Sequence, residues 1–193
     1  HRQGETPFSF FVYQQVYDAQ GKPVENAFVD RNGNGKIDEG DRYLYKSPFA
    51  PVTMGFGTDL NYKNWDLNIT TRANIGNYVY NNTQSRLDQF GEITANSGFL
   101  RNIKANSNFQ RHNDQSWLSD YYLENASFFK LDNITLGYTF PHTDKMYIRL
   151  YGTVQNVLTI TKYSGLDPEV YGGIDNNFYP RPQTYLLGLN VNF

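Results

Sequence analysis

Residues 52–74 carry the pattern that most restricts the fold: two stretches of polar–apolar alternation joined by a short turn at Lys63-Asn64. Successive side chains of a strand point to opposite faces, so each stretch predicts a strand with one apolar and one polar face. A two-residue turn also fixes the register of a hairpin. The expected cross-strand pairs are Tyr62–Trp65, Leu60–Leu67 and Phe56–Thr71. We therefore predict one hairpin whose apolar faces merge into a single surface.

The length of this hairpin favours a membrane wall. Each arm holds the alternation for about ten residues, whereas strands of soluble proteins average ~5–6 residues. About ten residues is what a tilted strand needs to cross a bilayer. The polar face carries Asp59, Asp66 and Arg72, which suits a barrel because its inside faces water or a plug while its outside faces lipid. The alternative is a surface sheet packed on a soluble core.

The same alternation recurs in the second half of the chain. It covers residues 128–140, 147–157 and 184–193. The short connections, Lys63-Asn64 and 141–145, contrast with long ones at 75–127 and 158–183, as is usual in outer-membrane barrels. A last amphipathic strand is protected from fraying and aggregation when a barrel closes around it. We predict an all-β fold, the C-terminal strands of a large antiparallel transmembrane β-barrel with long extracellular loops.

Aromatic side chains mark one end of these strands. They are Tyr62, Trp65, Tyr138, Phe140 and the final Phe193. Each lies next to a short connection or at the chain end. If these positions share the periplasmic edge, they form the aromatic girdle expected at a membrane interface.

Composition narrows the classes of function. The chain has no cysteine, which removes disulfides and thiol chemistry from consideration. A formal net charge of -2 gives no reason to expect nucleic-acid binding. The three histidines, His1, His112 and His142, are isolated, and neither HExxH nor GxSxG occurs. We therefore expect no enzyme activity and assign no catalytic or cofactor-binding residue.

One segment has the spacing of a cation-binding loop. Oxygen-bearing side chains occupy loop positions 1, 3, 5, 9 and 12, namely Asp30, Asn32, Asn34, Asp38 and Asp41. Gly35 permits the sharp turn, and Lys36 would contribute its backbone carbonyl, as in an EF-hand loop. We predict a structural Ca²⁺ site, with Mg²⁺ as the alternative because the terminal aspartate has a shorter reach than the usual glutamate. An ion-free Asn-Gly surface turn is the other interpretation.

Several distinctive motifs follow one another along the chain. They include VDRNGNGKID at 29–38, YKNWDL at 62–67, FKLDNITLGY at 129–138, QNVL at 155–158, YSGLDPE at 163–169 and YPRP at 179–182. Their order resembles that in the SusC/RagA-type TonB-dependent transporters of Bacteroidota outer membranes. The resemblance covers nearly the whole chain. It divides the chain into an extracellular loop region with the metal loop, 1–50, and barrel strands with their loops, 51–193. A plug, a TonB box and earlier strands would belong to an upstream part.

The resemblance implies a barrel of about 22 strands in the outer membrane of a Gram-negative bacterium. Its partners would be a SusD-like surface lipoprotein, outer-membrane lipid and, through the missing upstream part, the TonB complex. The cargo would be oligosaccharides or peptides. The surface loops, 75–127 and 163–179, with the residues before Pro51, would contact the lipoprotein. A passive outer-membrane porin and a soluble calcium-bound carbohydrate-binding β module remain as alternatives.

Overall fold

The structure is a computed structural model that describes residues 3–4, 6–88, 102–103, 118–141, 146–176 and 179–192. Its strands are β1 (Phe10–Val12), β2 (Gln15–Tyr17), β3 (Pro23–Phe28), β4 (Tyr43–Tyr45), β5 (Val52–Tyr62), β6 (Trp65–Ile75), β7 (Tyr78–Tyr80), β8 (Leu123–Asn125), β9 (Phe128–Thr139), β10 (Tyr147–Thr161) and β11 (Thr184–Asn192). A short helix, α1, spans Asn82–Leu87. The predominance of antiparallel strands confirms the predicted all-β class. Within the described ranges, no helix is long and apolar enough to cross a membrane.

The chain divides into two compact units, each built from three stretches. The strand unit contains Ala50–Gly76, Ser127–Lys162 and Tyr179–Phe193. The loop unit contains His1–Phe49, Asn77–Ala126 and Tyr163–Phe178. All five long strands therefore belong to the strand unit, and the short strands and helix α1 belong to the loop unit.

The strand unit is one antiparallel sheet in the order β11-β10-β9-β6-β5. Its hairpin β5–β6 turns at Lys63-Asn64, where Lys63 has a φ of 53° that suits a two-residue hairpin turn. The pairs Tyr62–Trp65, Leu60–Leu67 and Phe56–Thr71 occur as predicted. This agreement confirms the strands predicted from the alternation and the register predicted from the two-residue turn.

The predicted end of β10 at Val157 was wrong, because the strand continues to Thr161. A bulge between Gln155 and Leu158 interrupts the alternation that marks a strand in sequence. Asn156 has a φ of 53° there, and its side-chain Nδ2 donates a 2.9 Å hydrogen bond to the Pro182 carbonyl. The bulge therefore ties β10 to the segment that leads into β11, and the long connection starts after Thr161 rather than at Leu158.

A second bulge changes which residues of β9 share a face. Asn133 pairs with Thr70 and Leu131 with Thr71, so Asp132 has no partner on β6. One extra residue shifts the two-residue period of a strand by one step. Apolar-face positions are therefore even-numbered from Ile134 onward and odd-numbered from Leu131 backward. Phe128 and Lys130 are consequently buried on the opposite side from exposed Phe129.

The loop unit has its own packed core, although its sequence shows little periodicity. Strand pairs β1–β4, β2–β3 and β7–β8 frame this core. Its two clusters of buried residues are Phe10, Val12, Tyr80, Tyr122 and Leu123, and Val79, Ala126 and Tyr163. The described parts of the segments predicted as loops therefore fold into a compact body that can present a defined surface.

The YSGLDPE motif anchors one segment of this body. Tyr163 donates a 2.6 Å hydrogen bond to the buried carboxylate of Asp175. The Ser164 backbone N–H and hydroxyl both donate to Glu124, at 2.8 and 2.7 Å. Asn81 also donates to Glu124, at 2.9 Å. These bonds fix the segment after β10 against β8 and the start of helix α1.

Candidate functional site

One face of the strand-unit sheet is apolar and solvent-exposed. Three rungs, each a row of paired residues that crosses all five strands, define this apolar face: Tyr62–Trp65–Tyr138–Leu150–Leu189, Leu60–Leu67–Leu136–Gly152–Leu187 and Thr58–Ile69–Ile134–Val154–Tyr185. Leu187 is 89% exposed. Soluble monomers rarely leave so many contiguous large apolar side chains uncovered. A lipid-facing barrel wall requires such a face.

Four of the five aromatic residues predicted to share one edge lie close together. Tyr62, Trp65 and Tyr138 occupy a single rung. The ring centroids of Trp65 and Tyr138 are 4.8 Å apart, and those of Tyr138 and Phe140 are 5.1 Å apart. Phe193 lies outside the described residues. This edge of the sheet therefore has the composition of an aromatic girdle.

The opposite, polar face is held together by an ion pair that crosses a strand. Arg149 on β10 donates from Nε to Asp66 Oδ1 at 2.9 Å and from Nη2 to Asp66 Oδ2 at 2.5 Å. Asp66 lies on β6, so the pair passes over Gly137 of the intervening β9. A Cβ at Gly137 would lie 2.5 Å from Asp66 Oδ2 and 2.6 Å from Arg149 Nη2. The glycine is therefore required for the two charges to meet.

The guanidinium of Arg149 also packs on an aromatic ring of its own strand. It lies 4.9 Å from the ring centroid of Tyr151. The Tyr151 ring covers Gly188 on β11, where a Cβ would lie 2.5 Å from its Cε1 atom. Glycines on two strands thus leave room for one continuous row, Asp66–Arg149–Tyr151, across the polar face.

The other charged residues predicted on the polar face also have partners within the sheet. Asp59 accepts a 2.7 Å hydrogen bond from Asn68, whose Oδ1 accepts one from Asn133 at 3.3 Å. Arg72 pairs with Asp132, the bulge residue of β9, at 2.7 Å. The polar face is therefore a cross-linked, water-compatible wall rather than a set of isolated charges.

The Asp30–Asp41 loop is a separate candidate site in the loop unit. Asp30 is its organising acceptor: Oδ1 accepts from Gly33 N at 2.6 Å, and Oδ2 accepts from Gly35 N at 2.7 Å. Gly33 and Gly35 have φ values of 72° and 77°, in the left-handed region that favours glycine. The tight turn that a cation-binding loop needs is thus present.

Three more of the predicted ligands converge beside this turn. Asn34 Nδ2 donates to Asp38 Oδ2 at 2.8 Å, and Asn32 Nδ2 donates to Asp38 Oδ1 at 3.4 Å. Asn34 Oδ1 accepts the Lys36 backbone N–H at 2.8 Å, and Asn32 Oδ1 accepts that of Asn34 at 2.9 Å. Each asparagine side chain is therefore hydrogen-bonded through both its oxygen and its nitrogen, and Asp38 accepts from both nitrogens.

Asp41, the last predicted ligand, is buried and makes backbone contacts instead. Its Oδ1 accepts from Arg31 N at 2.8 Å and Asn32 N at 3.1 Å, while Oδ2 accepts from Asp38 N at 2.9 Å. The Asp38 bond, followed by those from Asn32 and Arg31, holds the pKa of Asp41 below its usual value although burial opposes this. Asp41 therefore closes the loop by accepting hydrogen bonds from backbone N–H groups near both of its ends.

The fit of the loop to a cation is partial. Asp30, Asn32, Asn34 and Asp38 supply oxygen atoms of the kind that Ca²⁺ and Mg²⁺ prefer. Among the residues that the structure covers, no group of three or more His, Cys, Asp or Glu side chains is close enough to hold an ion. A six-oxygen site would therefore depend on the asparagine oxygens and the Lys36 carbonyl, with some rearrangement around Asp41.

Comparison with curated proteins places this two-faced sheet and its loop in a family. The chain is 46% identical over its whole length to the TonB-dependent receptor SusC of Bacteroides thetaiotaomicron. It is 32% identical over its whole length to the TonB-dependent receptor P3 of Formosa agariphila. The chain belongs to the SusC/RagA type of TonB-dependent receptor.

This SusC/RagA-type chain spans only 20% and 23% of those two relatives. No family model matches it. Among solved structures it is similar to the RagAB peptide transporter, with a TM-score of 0.69 and 23% identity over 94% of this chain and 22% of that one. The RagAB peptide importer in the open-open state gives a TM-score of 0.68 at 22% identity, over 96% of this chain and 22% of that one. At these identities the structural likeness shows the fold alone.

A row of tyrosines in this receptor segment was not found from sequence. The tyrosine stripe consists of Tyr43, Tyr45 and Tyr78. Arg31 lies 4.5 Å from the Tyr43 ring centroid, and Lys46 lies 5.2 and 5.0 Å from those of Tyr45 and Tyr78. Tyrosine and arginine are enriched in the energetically dominant parts of protein interfaces. The alternation at Tyr43-Leu44-Tyr45 was its only local signal, and three residues are too few to be distinctive.

A carboxylate beside the tyrosine stripe fixes one end of it. Tyr43 donates a 2.7 Å hydrogen bond to Asp120 Oδ2, and Asp120 Oδ1 accepts the Gln15 backbone N–H at 3.0 Å. Burial, followed by the bond to Asp120, raises the pKa of the Tyr43 hydroxyl. The hydroxyl is the donor in this bond.

An open cavity of about 940 Å³ also belongs to the loop unit. Apolar side chains that line it include Phe8, Phe10, Phe11, Leu44, Leu118 and Ile174. Apolar concave surfaces of this size are typical of binding sites. The loop unit therefore offers two surfaces for contact with other molecules, the cavity and the tyrosine stripe.

Proposed function

We propose that this chain forms part of the wall and of the cell-surface loops of a TonB-dependent nutrient importer in the outer membrane of a Gram-negative bacterium. The observation that carries the proposal is the five-stranded sheet with a lipid-compatible apolar face and a cross-linked polar face, in a chain homologous to SusC. The apolar face would contact lipid. The polar face would line the lumen, next to water, the plug or passing cargo.

The proposed cargo is an oligosaccharide or a peptide, and the proposed partner is a SusD-like surface lipoprotein. TonB would drive import through the upstream part of the receptor. The whole set is supported by the homology to SusC. The fold shared with the RagAB peptide transporter does not select between the two cargo classes. We propose no catalytic step, in keeping with relatives that are named as receptors.

A passive porin would share the two-faced wall, so dependence on TonB separates the two functions. Cells with the intact receptor as their only importer for a given oligosaccharide or peptide should lose uptake when TonB is deleted. Uptake that continues without TonB would favour the porin. A soluble carbohydrate-binding module is disfavoured by the exposed apolar face, of which Leu187 and Leu189 are examples.

We expect photo-crosslinkers to distinguish the two edges of this segment. A crosslinker at Tyr171, which is 97% exposed, should capture the surface lipoprotein in cells. A crosslinker at Lys63, in the short hairpin turn, should not, because that turn would face the periplasm. Trp117, on the other predicted surface loop, lies outside the described residues. Capture at Lys63 but not at Tyr171 would show that the proposed orientation is inverted.

We further propose that the loop containing Asp30, Asn32, Asn34, Lys36, Asp38 and Asp41 holds one structural cation, Ca²⁺ rather than Mg²⁺. The proposal is supported by the oxygen-bearing spacing and by the convergence of both asparagine amides on Asp38. Hard cations bind carboxylate, amide and carbonyl oxygens. Bound Ca²⁺ would replace the side-chain hydrogen bonds to Asp38 and hold the surface loop in one conformation.

Asp38→Ala should abolish calcium protection of this loop against proteolysis in the intact receptor. A ligand at one hundred times its Kd stabilises the folded state by about 2.7 kcal/mol, enough to slow cleavage clearly. Asp18→Ala is the matched control, since Asp18 also accepts backbone N–H bonds in an exposed turn, from Gln20 and Lys22. Wild-type cleavage rates that are equal in calcium and in chelator would contradict the site.

A further inference from the structure

The metal loop contains two Asn-Gly sequences, Asn32-Gly33 and Asn34-Gly35. Asn-Gly is the dipeptide most prone to spontaneous deamidation, because glycine has no Cβ to hinder approach of its backbone nitrogen to the asparagine side chain. All four residues are exposed. On sequence alone, this loop should therefore be the part of the described chain that degrades first.

The reaction needs the backbone nitrogen of the glycine. That nitrogen forms a bond with the asparagine Cγ and gives its proton, through water, to Nδ2, and the Cγ–Nδ2 bond then breaks to release ammonia. Water then opens the cyclic imide at either carbonyl, giving aspartate or isoaspartate. The only co-reactant is water, and no oxidant or reductant takes part.

We propose that Asn32 and Asn34 are latent deamidation sites and that Asp30 is the residue that keeps both of them intact. Each Asp30 oxygen accepts the N–H of one of the two reactive glycines, Oδ1 from Gly33 at 2.6 Å and Oδ2 from Gly35 at 2.7 Å. Hydrogen bonds to a carboxylate are among the strong ones in proteins. Attack requires that such a bond be broken.

The charge of Asp30 adds to this protection. Negative charge develops on the glycine nitrogen as its proton leaves, and an adjacent carboxylate raises the energy of that charge. The asparagine side chains are restrained as well, since Asn34 is bonded to the Lys36 N–H and to Asp38. These bonds restrict the rotation of the Asn34 side chain, which attack on its Cγ would require.

Deamidation would also change the loop itself. Asn34 Nδ2 now donates to Asp38 Oδ2 at 2.8 Å. In the product, a carboxylate at position 34 would face the Asp38 carboxylate. The hydrogen bond would become a like-charge repulsion unless a cation lay between the two groups.

Asp30→Asn in the intact receptor tests the proposal. The purified receptor is held in chelator at mildly alkaline pH, and peptide mapping follows the mass change from amide to acid, with isoaspartate scored at each site. We expect both Asn32 and Asn34 to convert about tenfold faster or more in the variant, the change that loss of one charge-assisted hydrogen bond gives. Equal rates in the variant and the wild type would overturn the proposal.

Glu39→Gln is the matched control, because it removes an exposed carboxylate of the same loop that pairs with Arg42 and serves neither glycine. We expect it to deamidate at close to the wild-type rate. Equal acceleration by Glu39→Gln would mean that loss of any negative charge from the loop is responsible, which overturns the specific role of Asp30. A wild type that is protected in calcium but unprotected in chelator would also overturn it, since the cation would then be the protecting group.

Discussion

Leu187→Arg should prevent stable assembly of the receptor in the membrane, whereas Leu186→Arg should be tolerated. Leu187 lies on the apolar face, in the rung with Leu60, Leu67 and Leu136. An arginine on the lipid-facing side of a barrel costs up to roughly 2–4 kcal/mol, with the full cost at the midplane and less toward the interfaces. That is a large fraction of the stability of a typical protein.

Leu186 is a control of the same residue type in the same strand. Its rung on the polar face contains Asp59, Asn68, Thr135 and Thr153, where a guanidinium finds water and hydrogen-bond acceptors. Heat-modifiable gel mobility and the amount of receptor in outer-membrane fractions measure assembly of the two variants. Equal yields of both variants would contradict the assignment of the apolar face to lipid.

Gly137→Ala is expected to destabilise the wall by about 1–3 kcal/mol, the usual cost of overpacking. The added methyl group would fall between Asp66 and Arg149, and both charged groups would have to move. Separation would leave two half-buried charges without their bidentate partner. Thermal unfolding of the detergent-solubilised receptor should show a lower midpoint, and Arg149→Lys, which cannot make the bidentate contact, should lower it as well.

Gly152→Ala provides the comparison, since Gly152 is also a strand glycine in the same sheet. A Cβ there would lie 3.5 Å from Leu187 Cδ2 and 3.9 Å from the Leu186 carbonyl, which are ordinary contact distances. We expect little loss of stability from this change. A drop as large as that of Gly137→Ala would indicate that loss of glycine flexibility, rather than disruption of the ion pair, explains both results.

The hairpin β5–β6 could be predicted from sequence because nothing interrupts its alternation. β9 and β10 could be predicted only in part, since each contains a bulge. At Asp132 the period shifts, and at Asn156 a positive φ replaces an extended conformation. Neither event has a unique local signal, because an aspartate or asparagine inside a strand reads equally well as a polar-face residue.

The loop unit was less predictable because its contacts are distant in sequence. Tyr13 N–H donates to the Leu118 carbonyl at 2.7 Å, and Gln15 N–H donates to Asp120. Its strands β1, β2, β4, β7 and β8 have three residues each, too short for a period to be read. In the Asp30–Asp41 loop, spacing predicted which oxygens could serve a cation. It could not predict that Asp41 would be committed to backbone N–H groups.

The bulge at Asp132 divides β9 into two parts whose side-chain alternation is offset by one residue, and this limits how the strand can evolve. Deleting the bulge residue would rotate Phe128–Leu131 by half a turn relative to Ile134–Thr139, carrying the buried amine of Lys130 to the apolar face and Phe129 to the polar one. Related receptors can exchange side chains of the same polarity within either part of this strand. A single insertion or deletion, in contrast, must be offset by another in the same strand. An alignment that places its gap a few residues from Asp132 will therefore assign lumen-facing positions to the lipid side.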